Sequence, residues 1–332
     1  MPPKISVIVP CYNEQTTIQL LLDALYAQTV PHEAMEVVIA DGLSTDDTRA
    51  VIAEWHRAHK DLALRVVDNP RRVIPAALNT AIRASRGEIL VRLDAHSRPD
   101  PDYVALSAAA LEAGRAENVG GVWDIRAARD HWLARSIAAA AGHPIGVGDA
   151  RYRYTDRAAY VDTVPFGAFR RELLAEIGWF DETLLTNEDY EFNTRIRQEG
   201  GRIWLDPAIR SVYYARPDLK SLSKQYWRYG YWKVQMLRRY PETIRWRQGL
   251  PPVFVLGLGF LALLAPWWGL AAWLLLIVIG LYGAALTLAG LQLALRHKAP
   301  CFVLGVPLAI ATMHFSWGTG FLWGLVRPPK SK

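Results

Sequence analysis

Short apolar runs at 5–9, 36–40, 64–68, 89–93 and 119–123 are rich in Val and Ile and bounded by turn residues, which predicts strands. Between them, helical spacing of apolar positions predicts helices near 15–27, 46–59, 75–84 and 102–113. Ser44 followed by Asp47 resembles a capping box, and Pro75 and Pro101 suit first-turn positions. Alternation of this kind implies an α/β fold built on a doubly wound, mostly parallel sheet. Such sheets bind ligands at the carboxyl ends of their strands. The polar residues that directly follow each strand are therefore the candidate chemistry.

Beyond residue 130 the pattern changes. A helix is expected at 131–141, then loops rich in Gly and Arg, then a helix at 188–198 and two short strands at 202–205 and 211–214. The segment 220–239 is helical in pattern, with Tyr226, Trp227, Tyr229, Tyr231 and Trp232 interleaved among Lys224, Arg228, Lys233, Arg238 and Arg239. A basic aromatic amphipathic helix suits a membrane interface. From 249 to 295 there is no charged residue, enough chain for two spans of about 20 residues each. A turn is expected near 266–269. Arg296, His297 and Lys298 form a basic break, and 300–326 is a third apolar segment. The division expected is a catalytic body at 1–214, interfacial helices at 215–248, and a membrane region at 249–332 with two to three transmembrane segments.

Charge follows the same division. Residues 1–214 carry 24 Lys and Arg against 30 Asp and Glu, whereas 215–247 carry nine basic and two acidic residues. The overall charge of +6 thus sums an acidic body and a basic stretch beside an apolar tail. That arrangement points to a membrane surface and not to nucleic acid, for which no accompanying motif is present. Cys11 and Cys301 fall in segments that do not pair, so no disulfide is expected. No apolar stretch of signal-peptide length precedes the first strand, so the body is expected on the cytoplasmic face of the cell membrane. Placing the 296–298 turn on that side obeys the positive-inside rule, but a third full span would put Arg327, Lys330 and Lys332 outside. A re-entrant or interfacial third segment is the alternative.

The first strand ends in Pro10-Cys-Tyr-Asn-Glu14, which delivers Tyr12 to stack on a base and brings Glu14 to the strand end. The second ends at Asp41, followed by Gly42, which permits close backbone approach. The fourth ends in Arg92-Leu-Asp-Ala-His96. On an extended segment Asp94 and His96 face one side and together suit a divalent cation, Mn2+ or Mg2+. Glu188 and Asp189 open a helix, where acids also stabilise the helix dipole. Neighbouring helical residues point about 100° apart, so one is expected to aim inward as a base while the other caps or orients. Gln225 and Arg228 share a helix face, and a guanidinium there suits a diphosphate or a phospholipid headgroup. His314, within the third apolar segment, reads equally as a functional group, because intramembrane polar groups are costly, or as a hydrogen bond to a neighbouring helix.

Taken together, these stretches resemble family 2 glycosyltransferases of the GT-A fold, in the branch that includes succinoglycan-biosynthesis transferases. The resemblance covers 4–233. It implies that Pro10, Tyr12, Glu14 and Asp41 bind nucleotide base and ribose. It matches Asp94-Ala95-His96 to the metal-binding Asp-x-Asp, with Asp94 and Ala95 at the nucleotide, Asp94 near ribose and metal, and His96 in the metal-ligand place where Asp is commoner. Glu188-Asp189 matches the acceptor-site pair, of which the Asp is the catalytic base. Gln225–Arg228 is similar to the Gln-x-x-Arg motif, with Tyr229 in place of Trp. Gly167, within Phe166-Gly-Ala-Phe-Arg170, matches the loop beneath the transferred sugar.

The expected reaction moves a sugar from a nucleotide diphosphate donor to a hydroxyl of a lipid-linked or membrane-associated saccharide. The metal and Arg228 would neutralise the departing diphosphate, while Asp189 takes the acceptor proton. In-line attack inverts the anomeric carbon, as the family likeness also implies. A polyprenyl-phosphate sugar synthase is the nearest rival, but its ionised acceptor needs no base. A catalytically silent nucleotide-binding scaffold would not need the acids at 188 and 189.

Overall fold

A computed structural model describes residues 3–327. The chain forms two units, one of Met1–Asp124 with Tyr154–Tyr213, the other of Ile125–Arg153 with Tyr214–Lys332.

In the first unit, β1 (Ile5–Cys11), α1 (Ile18–Tyr26), β2 (Met35–Asp41), α2 (Thr48–Ala58), β3 (Ala63–Asp68), α3 (Ile74–Ala84) and β4 (Ile89–Arg92) alternate as the pattern predicts. β5 (Arg98–Pro99), α4 (Tyr103–Glu112) and β6 (Asn118–Ala127) follow. The nine-stranded sheet runs β3-β2-β1-β4, then β8 (Ala168–Arg170), β6, β9 (Ile203–Ala215) and β5, with β7 (Ala159–Val161) paired to β9. β3, β2, β1 and β4 pair in parallel, whereas β8 joins both β4 and β6 antiparallel. Every residue of β1 and β2 is buried, as expected of strands covered on both faces. The register aligns Cys11 with Asp41, so the chain leaves β1 and β2 side by side. Val91 opposite Ala168 brings the turn before β8 to the end of β4.

Several boundaries depart from the sequence pattern. The runs at 202–205 and 211–214 are one strand, β9, whose ends pair with different partners, β7 and β5. β5, β7 and β8 are two or three residues long, too short to leave a periodic signal. Ser44 does not cap α2. Its hydroxyl donates to Asp41 instead, and the N-cap position falls on Asp47. Pro75 lies in the first turn of α3, but Pro101 precedes the Asp102 N-cap of α4.

The second unit comprises α5 (Trp132–Ala141), α6 (Pro144–Val147), α9 (Leu219–Leu237), α10 (Trp246–Leu264), α11 (Gly269–His297) and α12 (Phe302–Val326). The remaining helices, α7 (Leu173–Ile177) and α8 (Glu188–Gln198), belong to the first. Among the described residues, α10, α11 and α12 are long and apolar enough to cross a membrane. Lys330 and Lys332, on which part of the topology argument rests, lie outside the described residues. Cys11 and Cys301 are both free thiols.

Candidate active site

The ends of β1 and β2 interlock through side chain to backbone bonds. Asn13 adopts a left-handed φ of 55°. Its N–H donates to Ser44 Oγ at 2.8 Å, and its Oδ1 accepts from Thr45 N at 2.8 Å. Asp41 is fully buried and accepts from Ser44 Oγ (2.5 Å), Ser44 N (3.0 Å) and Arg49 Nε (2.5 Å). With its oxygens so occupied, Asp41 holds the loop that follows β2. Gly42 runs beneath Tyr12, where an added Cβ would lie 3.0 Å from the ring. Tyr12 is exposed, with the Arg72 guanidinium 5.8 Å from its centroid. Pro10 remains inside β1, opposite Ala40.

At the end of β4, Arg92 is buried among three carboxylates. One terminal nitrogen, Nη1, donates to Asp189 Oδ1. The other, Nη2, donates to Glu188 Oε1 at 2.8 Å and Asp94 Oδ1 at 3.1 Å. The Arg92 Nε has no hydrogen-bond partner among the described residues. Burial opposes the guanidinium charge, but Asp189, Asp94 and Glu188 outweigh it and hold the pKa above the ordinary arginine value. Desolvation raises the Asp189 carboxyl to about 7, helped by Glu188 and Asp94 and opposed by Arg92. The Asp189 side chain is 24% exposed and that of Glu188 10%, so Asp189 is the more open of the two.

The turn before β8 closes this cluster. Phe166 has a φ of 51° and its ring centroid lies 5.9 Å from the Arg92 guanidinium carbon. Gly167 O accepts from Arg92 N at 3.1 Å. A Cβ on Gly167 would fall 2.2 Å from Asn118 Oδ1, so no larger residue fits without displacement. α8 begins after Asn187, whose left-handed φ of 70° sets up the first turn that carries both acids.

Asp94 and His96 differ from their expected setting. The strand ends at Arg92, and Ser97 N donates to Asp94 O at 2.9 Å, so the two occupy a turn and not an extended segment. Ala95 between them is buried. His96 Nδ1 lies 3.0 Å from Glu14 Oε1, which joins the β1 and β4 ends. Among the described residues no three His, Cys, Asp or Glu side chains are grouped to hold a metal. The Asp94 carboxylate and His96 imidazole are nonetheless a chemically fitting pair of donors for a divalent cation such as Mn2+. Gln225 and Arg228 lie in the second unit on α9, where Gln225 Nε2 donates to Tyr229 Oη at 2.9 Å.

A family model described as glycosyl transferase family 2 matches residues 6–178, more than half of the chain. The chain belongs to that family. It is 30% identical to the succinoglycan biosynthesis protein ExoA of Rhizobium meliloti, over 95% of this chain and 93% of the relative. It is 27% identical, over 97% of each chain, to the Methanococcus voltae dolichyl N-acetyl-alpha-D-glucosaminyl phosphate 3-beta-D-2,3-diacetamido-2,3-dideoxy-beta-D-glucuronosyltransferase. Among solved structures, the mannosyltransferase PcManGT from Pyrobaculum calidifontis, in complex with GDP-Man and Mn2+, is similar at a TM-score of 0.57 and 25% identity. That match covers 94% of this chain and 87% of the other. The α/β architecture of this family 2 enzyme is accordingly GT-A-like.

The sequence does not single out Arg92, which the structure places at the centre of the candidate site. It falls between the buried Val91 and Leu93 and reads as one polar position in an apolar strand. The available signal was a buried-strand cation two residues before an acid, because a guanidinium there requires several acceptors. Nothing local in sequence says that two of them come from α8.

Proposed function

We propose that this chain is an inverting, divalent-metal-dependent glycosyltransferase of polysaccharide or glycan biosynthesis. It moves a sugar from a nucleotide diphosphate donor to a hydroxyl of a lipid-linked or otherwise membrane-associated saccharide. The observation that carries the reading is Asp189, an accessible carboxylate raised to about 7 and held by the same guanidinium as Asp94. A general base works best when its pKa lies near the working pH.

Tyr12 offers a face to the base, and Glu14 and Asp94 lie at the nucleotide end, with Pro10 and Asp41 shaping the loops that carry them. Asp94 and His96 would hold the divalent ion, which when bound supplies positive charge to the diphosphate leaving group. Gly167 lines the sugar side through its backbone. Asp189 accepts the acceptor's proton as the hydroxyl oxygen attacks the anomeric carbon. The bond to the diphosphate oxygen breaks on the opposite face, so configuration inverts. Glu188 and Arg92 orient Asp189. The assignment of Gln225 and Arg228 to the diphosphate stands on their motif. The dolichyl-phosphate-linked sugar in the name of the Methanococcus relative, and the GDP-Man in complex with PcManGT, support a lipid-linked acceptor and a nucleotide sugar donor. The basic stretch at 215–247 and the apolar helices support a multi-pass enzyme of the cell membrane with a cytoplasmic catalytic unit.

The test is transfer by full-length protein in detergent across a panel of nucleotide sugars, with Mn2+ or a chelator. One donor should release its nucleotide diphosphate in a metal-dependent manner. Release from no donor under either condition contradicts the proposal.

A further inference from the structure

The three long apolar helices are not equivalent. Large side chains of α10 and α11 are widely exposed, among them Val253, Phe260, Trp273 and Leu281 at 68, 60, 68 and 69%. α12 instead approaches other helices at glycines. An added Cβ would lie 2.1 Å from Ser136 Oγ of α5 at Gly305, 2.6 Å from Pro251 O of α10 at Gly318, and 2.2 Å from Trp227 O of α9 at Gly320. Small residues permit such close backbone approach.

These contacts fix how α12 runs. Its first residues meet the last two turns of α11, where a Cβ on Gly290 would lie 2.8 Å from Phe302 O. Sixteen residues later, Gly318 meets Pro251 in the opening turns of α10, and Trp317 Nε1 donates to Gln248 O at 3.3 Å. The start of α10 and the end of α11 lie on one side of a membrane if the two helices form a spanning hairpin. A helix parallel to that hairpin would have moved about 24 Å deeper between the two contacts, at 1.5 Å per residue. α12 therefore runs obliquely over the spans: from Phe302 at Gly290 to His314 at Tyr282 it advances about 12 Å along α11 for about 18 Å of its own length.

Its far end returns the same result. Arg238, at the C-cap of α9, donates to Gly324 O at 3.1 Å and Leu325 O at 3.3 Å. That residue precedes α10, so the carboxyl end of α12 sits on the side from which α10 begins. α9 also runs beside α12 in step: Ser316 Oγ donates to Ser223 Oγ at 2.9 Å, Gly320 meets Trp227 and Gly324 meets Tyr231. A crossing α12 would draw Lys220, Lys224, Arg228 and Arg238 of that neighbour towards hydrocarbon, which is costly. His314 in mid-helix bonds Ile145 O of α6 at 2.9 Å and Tyr282 Oη at 3.0 Å.

We infer that α12 does not cross the membrane but lies in the plane of the leaflet on the α9 side, with acyl chains as its occupant. Leu304, Leu308, Phe315 and Leu325 are exposed to receive them, and Arg327 sits 4.7 Å from the Trp323 ring at the end. Two crossings result among the described residues, and Arg327 stays on the side that the positive-inside rule favours. The inference rests on the membrane reading proposed above.

The experiment uses the full chain in vesicles of either orientation, with Cys11 and Cys301 replaced by Ala. Single cysteines, Asp130→Cys, Trp267→Cys or Val326→Cys, are treated with a membrane-impermeant maleimide. Asp130→Cys and Val326→Cys should react in the same orientation and Trp267→Cys in the opposite one. Val326→Cys reacting with Trp267→Cys overturns the inference while leaving the spanning hairpin intact. All three reacting together sinks the hairpin, and the inference with it. A reporter fused after Lys332 of the otherwise unchanged chain gives a second reading: it should lie on the side of Asp130, and the opposite side overturns the inference.

Discussion

Arg92 and Asp189 are joined by a part-buried ion pair that links the end of β4 to the first turn of α8. The same guanidinium reaches Asp94 and Glu188, so one cation serves three carboxylates separated by nearly a hundred residues of sequence. The proposed nucleotide and acceptor ends thus share an electrostatic centre. A change at one end alters the charge balance felt at the other.

Arg92→Met should be the more damaging of two replacements. Removing one partner of a buried ion pair strands the others, a loss of about 3–5 kcal/mol. Chemical denaturation should register that loss at neutral pH. Arg92→Lys keeps the charge but not the two-ended fork, so it should fold better and still turn over slowly. Its kcat should fall more than its donor affinity; an unchanged kcat in Arg92→Lys argues against positioning of Asp189.

The pH dependence has a definite sign. Asp189 must be ionised to act, and its carboxyl is raised to about 7, so kcat/KM should rise with pH up to that region and then level. Replacing Arg92 by Met removes the opposing positive charge and should move the limb to higher pH. Stability follows the same linkage. An unfolded aspartate titrates at about 3.9, so the folded state holds the extra proton between there and about 7. This group's contribution to stability therefore falls as pH rises through that window. Activity that is flat from pH 5 to 8 contradicts the assignment of this base.

Much of the first unit was legible because β1, β2 and β4 are buried throughout and read as apolar runs rich in Val and Ile. The polar residues after β1, β2 and β4 could be located for the same reason. The antiparallel half was not legible. β8 has three residues, and its partners on β4 and β6 are set by tertiary pairing and not by any local period. Ser44 departs from the expected cap because a hydroxyl ahead of a helix can cap it or bond elsewhere, and here the buried Asp41 carboxylate competes more strongly. Glu188 and Asp189 point about 100° apart in projection, yet both reach Arg92, because its planar fork presents donors at two ends. Helical periodicity contains no information about such a partner.

Metal dependence should centre on the turn after β4. Nucleotide diphosphate affinity should rise on adding Mn2+ and drop with a chelator, and Asp94→Ala should blunt both responses. His96→Asp should retain binding and shift preference towards Mg2+, because oxygen replaces an imidazole donor. Calorimetric titration of the diphosphate with each cation measures this directly. Equal affinity with and without chelator, in wild type and Asp94→Ala alike, contradicts a metal at this site.

The central claim is that Asp189 removes the acceptor's proton, and the measurement that tests it most directly is turnover alongside donor affinity in Asp189→Asn and Glu188→Gln. A placed base contributes about 10²- to 10⁴-fold. Asp189→Asn should therefore lose at least about 100-fold in kcat with donor affinity little changed, and Glu188→Gln should lose less. Substantial transfer by Asp189→Asn, or a larger loss in Glu188→Gln, would contradict the account, and the first result would favour an acceptor that is already ionised.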